Sequence, residues 1–158
     1  DLAALGALLN EHKDVAVILA ELLQRIIPAE PGYLQGLRDL CEKHSVLLIF
    51  DEIVTGFRLA YGGAQERYGV TPDICTLGKI IGCGFPLAAL GASAEIMQHF
   101  DKAIVGADKW LMQLGTLSGD PIAAEMGSPD FRPFEGCIER LSRSALICIW
   151  YKSLDLRH

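Results

Sequence analysis

The residues with chemistry to offer begin at a pair of acids. In SVLLIFDEIVTGFR (Ser45–Arg58) an apolar run, Val46 to Phe50, leads straight into Asp51 and Glu52. So short an apolar run reads as a strand buried on both faces. Ligands of open α/β sheets bind beyond the carboxyl ends of the strands, so a carboxylate there is placed to meet one. Farther on, Lys79 stands between the run Ile74–Leu77 and a glycine-punctuated turn, flanked by Leu77, Gly78, Ile80 and Ile81. An apolar setting disfavours the ammonium form and frees the amine as a nucleophile. Such a lysine can form a Schiff base with an aldehyde. Pyridoxal phosphate is the aldehyde cofactor that also needs a carboxylate at its ring nitrogen. On this reading Asp51 keeps the ring nitrogen protonated by opposite charge. Lys79 holds the cofactor, is released by an incoming amine, and shuttles the substrate proton as general base and acid.

Ordinary roles compete with each assignment. Asp51 could simply end a strand or cap a turn, and a solvated surface position is the default for any lysine. An apolar strand ending in Asp-Glu also fits the magnesium-binding strand of ATPases, which requires a phosphate loop of the form GxxxxGK[ST]. Gly78-Lys79 is the one Gly-Lys pair, with Asp73 where the first glycine belongs and Ile80 where Ser or Thr belongs. It also follows the acid in the chain, so the ATPase reading fails.

The elements that must carry these residues can be read from periodicity. DVAVILA (14–20) reads as a strand and PGYLQGLRDLCEKH (31–44) as a helix, with apolar residues at 34, 37, 40 and 41. With the strand at 46–50 they form a βαβ unit, whose crossover is expected to be right-handed. Ile74–Leu77 and Leu87–Gly91 read as further strands, and Ser93 caps a helix over 93–100. Residues 101–112 carry no clear signal. QLGTLSGDP (113–121) is a polar, glycine-rich loop with a helix expected from Pro121. After Met126 the character changes: MGSPDFRPFEGC is broken by prolines and glycines, and the remainder to His158 has helical spacing, reading either as a divergent helix or as an ending unrelated to the rest.

Bulk composition narrows the class. The 158 residues are 51% hydrophobic, enough for a core. A net charge of −6 argues against a nucleic-acid surface. No apolar run reaches the ~20 residues a bilayer span needs, so no membrane partner is expected. The 5 cysteines are scattered without a CxxC pair. They read as reduced thiols of a cytoplasmic protein, not a disulfide frame or metal site. The histidines likewise lack ligand spacing.

FDEIVTGFRLAYGGAQERYGVTPDICTLGKIIGCGFPLAALG, with QLGTLSGDPIAA downstream, closely resembles the class III pyridoxal-phosphate aminotransferases. The GFRLAYGGAQ loop and the GTLSG element are most similar to the glutamate-1-semialdehyde aminomutase branch. The resemblance covers roughly residues 14–125. It implies an α/β large domain of fold-type I with a mostly parallel sheet over residues 1–126, followed by an atypical segment, 127–158. By resemblance, Asp51 is the ring-nitrogen partner, Ile53 packs on the ring face, and Lys79 is the Schiff-base lysine. Thr116 reaches the cofactor phosphate of the neighbouring subunit in a homodimer. Read without the family, Thr116 is a turn hydroxyl. The implied substrate is a small amino acid or amino-aldehyde.

Several positions depart from the family pattern. Val54 stands where many members have Gln, Cys83 interrupts a triple glycine, and Asp120 replaces Asn. Glu21 could stand in for the acid of a Glu-Pro strand end. The family's amino-terminal phosphate loop and stacking aromatic, and its carboxy-terminal small domain, find no counterpart in these residues. The start without methionine, in helical spacing, reads as a piece of a longer protein. The rival expectation is a truncated, non-catalytic family member or interaction fragment.

Overall fold

Helical spacing and strand alternation meet first in the segment from Tyr33 to Asp51. In the computed structural model, which describes residues 1–126 and 146–149, the chain divides into two units, Asp1–Thr76 and Leu77–His158. The first unit opens with α1 (Leu2–Glu11), whose leading amides, Ala3 and Ala4, donate to Asp1 Oδ1 at 2.9 and 3.4 Å. Then follow β1 (Val17–Glu21), α2 (Tyr33–His44), β2 (Leu47–Asp51), α3 (Gly63–Tyr68) and β3 (Ile74–Leu77). β2 lies between β1 and β3 and is parallel to both. The expected strand–helix–strand unit is therefore present.

α2 buries Leu34, Leu37 and Cys41, its apolar stripe, in one cluster with Leu48 and Phe50 of β2 and with Leu22, Ala64 and Val70. Leu2 and Leu5 of α1 pack against that cluster. α1 and α2 approach closely at Gly36, where a Cβ would fall 2.5 Å from Leu2 Cδ1. The opposite sheet face is more open: Val17, Leu19 and Leu47 are 42%, 64% and 41% exposed. The expectation of a strand buried on both faces is thus corrected for β2. Its even positions, Leu48 and Phe50, are buried, whereas Leu47 is exposed and Ile49 half-buried. α2 packs on one side of the strand, and the apolar run gives no sign of which side that is.

A polar tie sets where β2 and β3 begin. Asp73 Oδ2 accepts from the Leu48 amide at 2.7 Å and from Arg38 Nη1 of α2 at 2.8 Å. The Asp73 amide in turn donates to Leu48 O at 2.9 Å. One carboxylate thereby links helix, central strand and neighbouring strand. Arg38 Nε also lies 3.2 Å from Glu42 Oε1. It is not aligned there as a hydrogen bond, and an ion pair with so exposed a glutamate adds little.

The second unit contains β4 (Ala89–Ala92), α4 (Ala94–Met97), α5 (Lys102–Val105), α6 (Pro121–Met126) and β5 (Leu146–Ile149). Ser93 caps α4 as expected, its Oγ accepting from the Ile96 amide at 3.4 Å. The helix runs only to Met97 before tightening into a 3₁₀ turn, Gln98–Phe100. Residues 101–112, silent in the sequence, hold α5 under an Asp101 cap. Trp110 donates from Nε1 to Phe100 O at 3.2 Å, with the Lys102 ammonium 5.6 Å from its ring centre. β4 pairs antiparallel with β5. Of the two readings of the last residues, the divergent helix therefore fails at 146–149, where a short apolar run satisfies its backbone along β4 instead. The rest of that expectation lies outside the described residues. No helix among the described residues is long and apolar enough to cross a membrane.

Asp73→Ala strips the acceptor from a strand amide and from Arg38 at once. It is expected to lower stability by about 2 kcal/mol, read as a shift of the urea unfolding midpoint. An unchanged midpoint would refute the tie.

Candidate active site

The register of the parallel strands places Glu21, Asp51 and Thr76 side by side in a row at their carboxyl ends. Asp51 is half-buried, and its Oδ1 accepts from the Ile53 amide at 3.0 Å. Among the described residues its second oxygen, Oδ2, accepts no hydrogen bond. A half-buried carboxylate with one oxygen anchored and the other open suits a cationic N–H donor, which is what a protonated pyridine ring presents. Ile53, the next expected contact, is half-buried beside it, and Val54 is 39% exposed.

Glu52 has a different fate. It is 1% exposed. Its carboxylate accepts from Thr55 Oγ1 at 2.9 Å, the Ala64 amide at 2.6 Å and the Gln65 amide at 3.0 Å. The loop between β2 and α3 is thereby closed on the residue that begins it. Phe57 and Tyr61 meet edge to face within this loop, 6.4 Å apart. Sequence reasoning had taken Glu52 only as half of an acid pair. The available signal was a hydroxyl three positions on and a Gly-Gly pair leading into the amides that reach back.

Lys79 opens a 3₁₀ turn, Lys79–Gly82, directly after β3. It comes shortly after Thr76, the register partner of Asp51. Its backbone is left-handed (φ 50°), a conformation non-glycine residues hold only where their surroundings impose it. The desolvated setting expected from its apolar neighbours is not found. Leu77 and Ile81 turn inward and are buried, whereas Lys79 is exposed. Apolar neighbours in sequence bury their own side chains and leave the one between them facing out. Thr116 is also exposed, in the turn 116–119. α6, which begins shortly after it, packs against the Lys79–Gly82 turn.

Two thiols bear on the site. Cys75 is pushed from 9.0 up to about 12, chiefly by burial. The charge of Glu52 adds to the shift, Gln65 opposes it, and Asp51 adds a little more. Cys83, which replaces a family glycine, is exposed with φ 49°. That left-handed backbone is one a glycine adopts more readily than a residue with a side chain.

Comparison with known proteins specifies the class to which this parallel α/β layer belongs. Residues 2–135 match the family model "Aminotransferase class-III". The chain belongs to that family, whose members are enzymes that use pyridoxal phosphate. It is 50% identical over 131 residues to a glutamate-1-semialdehyde 2,1-aminomutase of Nitratidesulfovibrio vulgaris, covering 80% of this chain and 30% of that one. The figures for the same enzyme of Prosthecochloris aestuarii are 50%, 80% and 29%. The fold matches an omega-transaminase from Sphaerobacter thermophilus with TM-score 0.74 and 38% identity, over 84% of this chain and 31% of that one. It also matches a glutamate-1-semialdehyde aminomutase from Pseudomonas aeruginosa PAO1, solved in complex with PMP, with TM-score 0.67 and 30% identity. That match covers 84% of this chain and 30% of the other. The chain thus spans about 30% of the length of the relatives it matches.

Two outcomes follow from the thiols. Folded Cys75 keeps its proton to a higher pH than the unfolded chain does. Its contribution to stability is therefore complete below pH 9 and lost as pH rises from 9 towards 12. Denaturant titrations across that window should show a shallower decline in Cys75→Ala; an identical slope would contradict the assignment. Cys83→Gly relieves the left-handed backbone and is expected to add about 1 kcal/mol of stability, read as a raised melting temperature.

Proposed function

We propose that the chain carries the cofactor-binding centre of a pyridoxal-phosphate enzyme that moves an amino group between, or within, small amino acids and amino-aldehydes. The observation that carries this reading is Asp51: half-buried at the end of the central strand, one oxygen fixed by Ile53, the other accepting no hydrogen bond among the described residues. Its register partner Thr76 leads within a few residues to Lys79. When bound, pyridoxal phosphate supplies an electron-accepting ring that eases loss of a proton from the substrate carbon bearing the amine. Asp51 would hold the ring nitrogen in its protonated form through opposite charge, and Ile53 would pack on the ring face.

Lys79 would provide the amine that bonds the cofactor's aldehyde. Once displaced, that amine is free to take a proton from the substrate carbon and return it at another position. Its exposure in this chain leaves the water-excluding surface to be supplied by further parts of a longer protein or by a second subunit. Thr116, a hydroxyl beside glycines on an exposed turn, is suited to donate to a phosphate, and we assign it to the cofactor of a partner copy in a homodimer. Similarity to aminomutases favours amino exchange within one molecule. Similarity to transaminase structures keeps transfer between two molecules as the sister reaction. A reducing, cytoplasmic setting is in keeping with the free thiols Cys41, Cys75 and Cys83.

The test is to mix the purified chain with pyridoxal phosphate, reduce with borohydride, and locate the added mass. A single adduct at Lys79, absent in Lys79→Ala and much reduced in Asp51→Ala, is expected. Labelling spread over many lysines and indifferent to both substitutions would refute the reading. It would favour a non-catalytic family member instead.

A further inference from the structure

We propose that Glu52 is a positioning residue: its buried carboxylate closes the loop 52–65 on itself and thereby aims Asp51 at its ligand. The role rests on the cofactor reading of Asp51 given above.

The argument begins with what holds Asp51. Beyond its place at the end of β2, its side chain has one hydrogen-bond anchor among the described residues, the Ile53 amide. Ile53 lies inside the loop, so Asp51 is only as well oriented as that loop. Almost every polar group of Glu52 is committed to holding it. The Glu52 amide donates to Thr76 O at 2.9 Å, joining the loop's start to β3. Its carbonyl accepts from the Gly56 amide at 2.8 Å. Its carboxylate gathers Thr55 Oγ1 from the near limb and the Ala64 and Gln65 amides from the far limb. The two amides belong to the first turn of α3, where a negative charge is favoured by the helix dipole. Thr55 is itself 2% exposed, so its hydroxyl has little water to turn to.

The fit is close enough to exclude a side chain at the point of return. Gly63 sits at φ 74°, and a Cβ there would collide with Glu52 Oε2. Among the described residues three donors hydrogen-bond the carboxylate, a pattern its two oxygens satisfy. A glutamine keeps the shape but turns an NH₂ group towards a donor, leaving buried groups mismatched. Glu52 touches no reacting atom; it acts through the loop and Ile53.

The experiment uses the full chain with Glu52→Gln and Thr55→Val. Hydrogen exchange without cofactor should show the Ala64 and Gln65 amides exchanging about tenfold faster or more in Glu52→Gln. The amides of α2 should be unchanged. Titration with pyridoxal phosphate should show Kd raised about tenfold, together with a displaced pH dependence of the bound cofactor's absorption, since that band reports the charge held beside the ring. Thr55→Val, which removes one donor and leaves two, should shift both readouts in the same direction by less; it carries the comparison alone if Glu52→Gln does not fold. Unaltered loop exchange, or a lowered melting temperature with Kd and pH profile unchanged, would make Glu52 purely structural and overturn the proposal. Failure of the unmutated chain to bind pyridoxal phosphate would overturn the cofactor reading first, and the positioning role with it. The loop-exchange result would still stand apart.

Discussion

The phase of β2 governs everything built at its end. Leu48 and Phe50 are buried in one cluster with α2, and a strand has a side-chain period of two. Once those two residues point into the core, Leu47, Ile49 and Asp51 must face the other way. A slip of one residue would put Asp51 in the apolar layer and Phe50 in water. Asp73 resists that slip by holding the Leu48 amide and Arg38 together. Hydrophobic burial thus chooses the face of the acid, and a polar tie fixes where along the strand it falls.

The two acids then part company, although they are adjacent in sequence. Asp51 stays on the sheet in line with Glu21 and Thr76, with one oxygen unpaired among the described residues. Glu52 leaves the strand and is buried among donors. One carboxylate is left available to a ligand while the other is spent on structure. Their joint influence is felt at Cys75, whose thiol is held neutral by burial and by both charges.

Much of the fold was legible because the signals were periodic. The helix at 33–44, the strands at 47–51 and 74–77, and the Ser93 cap announce themselves through spacing and capping chemistry. What the sequence concealed depended on long-range partners. Nothing in 46–50 indicates that α2 packs on one side of the strand, so the exposure of Leu47 was missed. Nothing in LICI says that β4 offers it an edge. For the candidate site, Asp51, Ile53, Lys79 and Thr116 are proposed from residue type and family pattern. The exposure of Lys79 matches the ordinary alternative and not the desolvated setting read from its neighbours, because a one-dimensional neighbourhood counts apolar residues without regard to where they point. Glu52's role was hidden for a related reason: its donors lie on the far limb of a loop whose return path only Gly63 betrays.

That return path has a consequence for how the molecule can be taken apart and recombined. Among the described residues, the bonds made by the Glu52 carboxylate and carbonyl join residues of the loop to one another. That part of the loop's shape is carried by its own sequence. Its length is constrained as well, since an insertion or deletion between Thr55 and Gly63 would carry the two receiving amides away from the carboxylate. In chimeras between this chain and its relatives, the block from Asp51 to Gln65 is a natural unit of exchange, and a crossover placed inside it would join two half-rings that do not close.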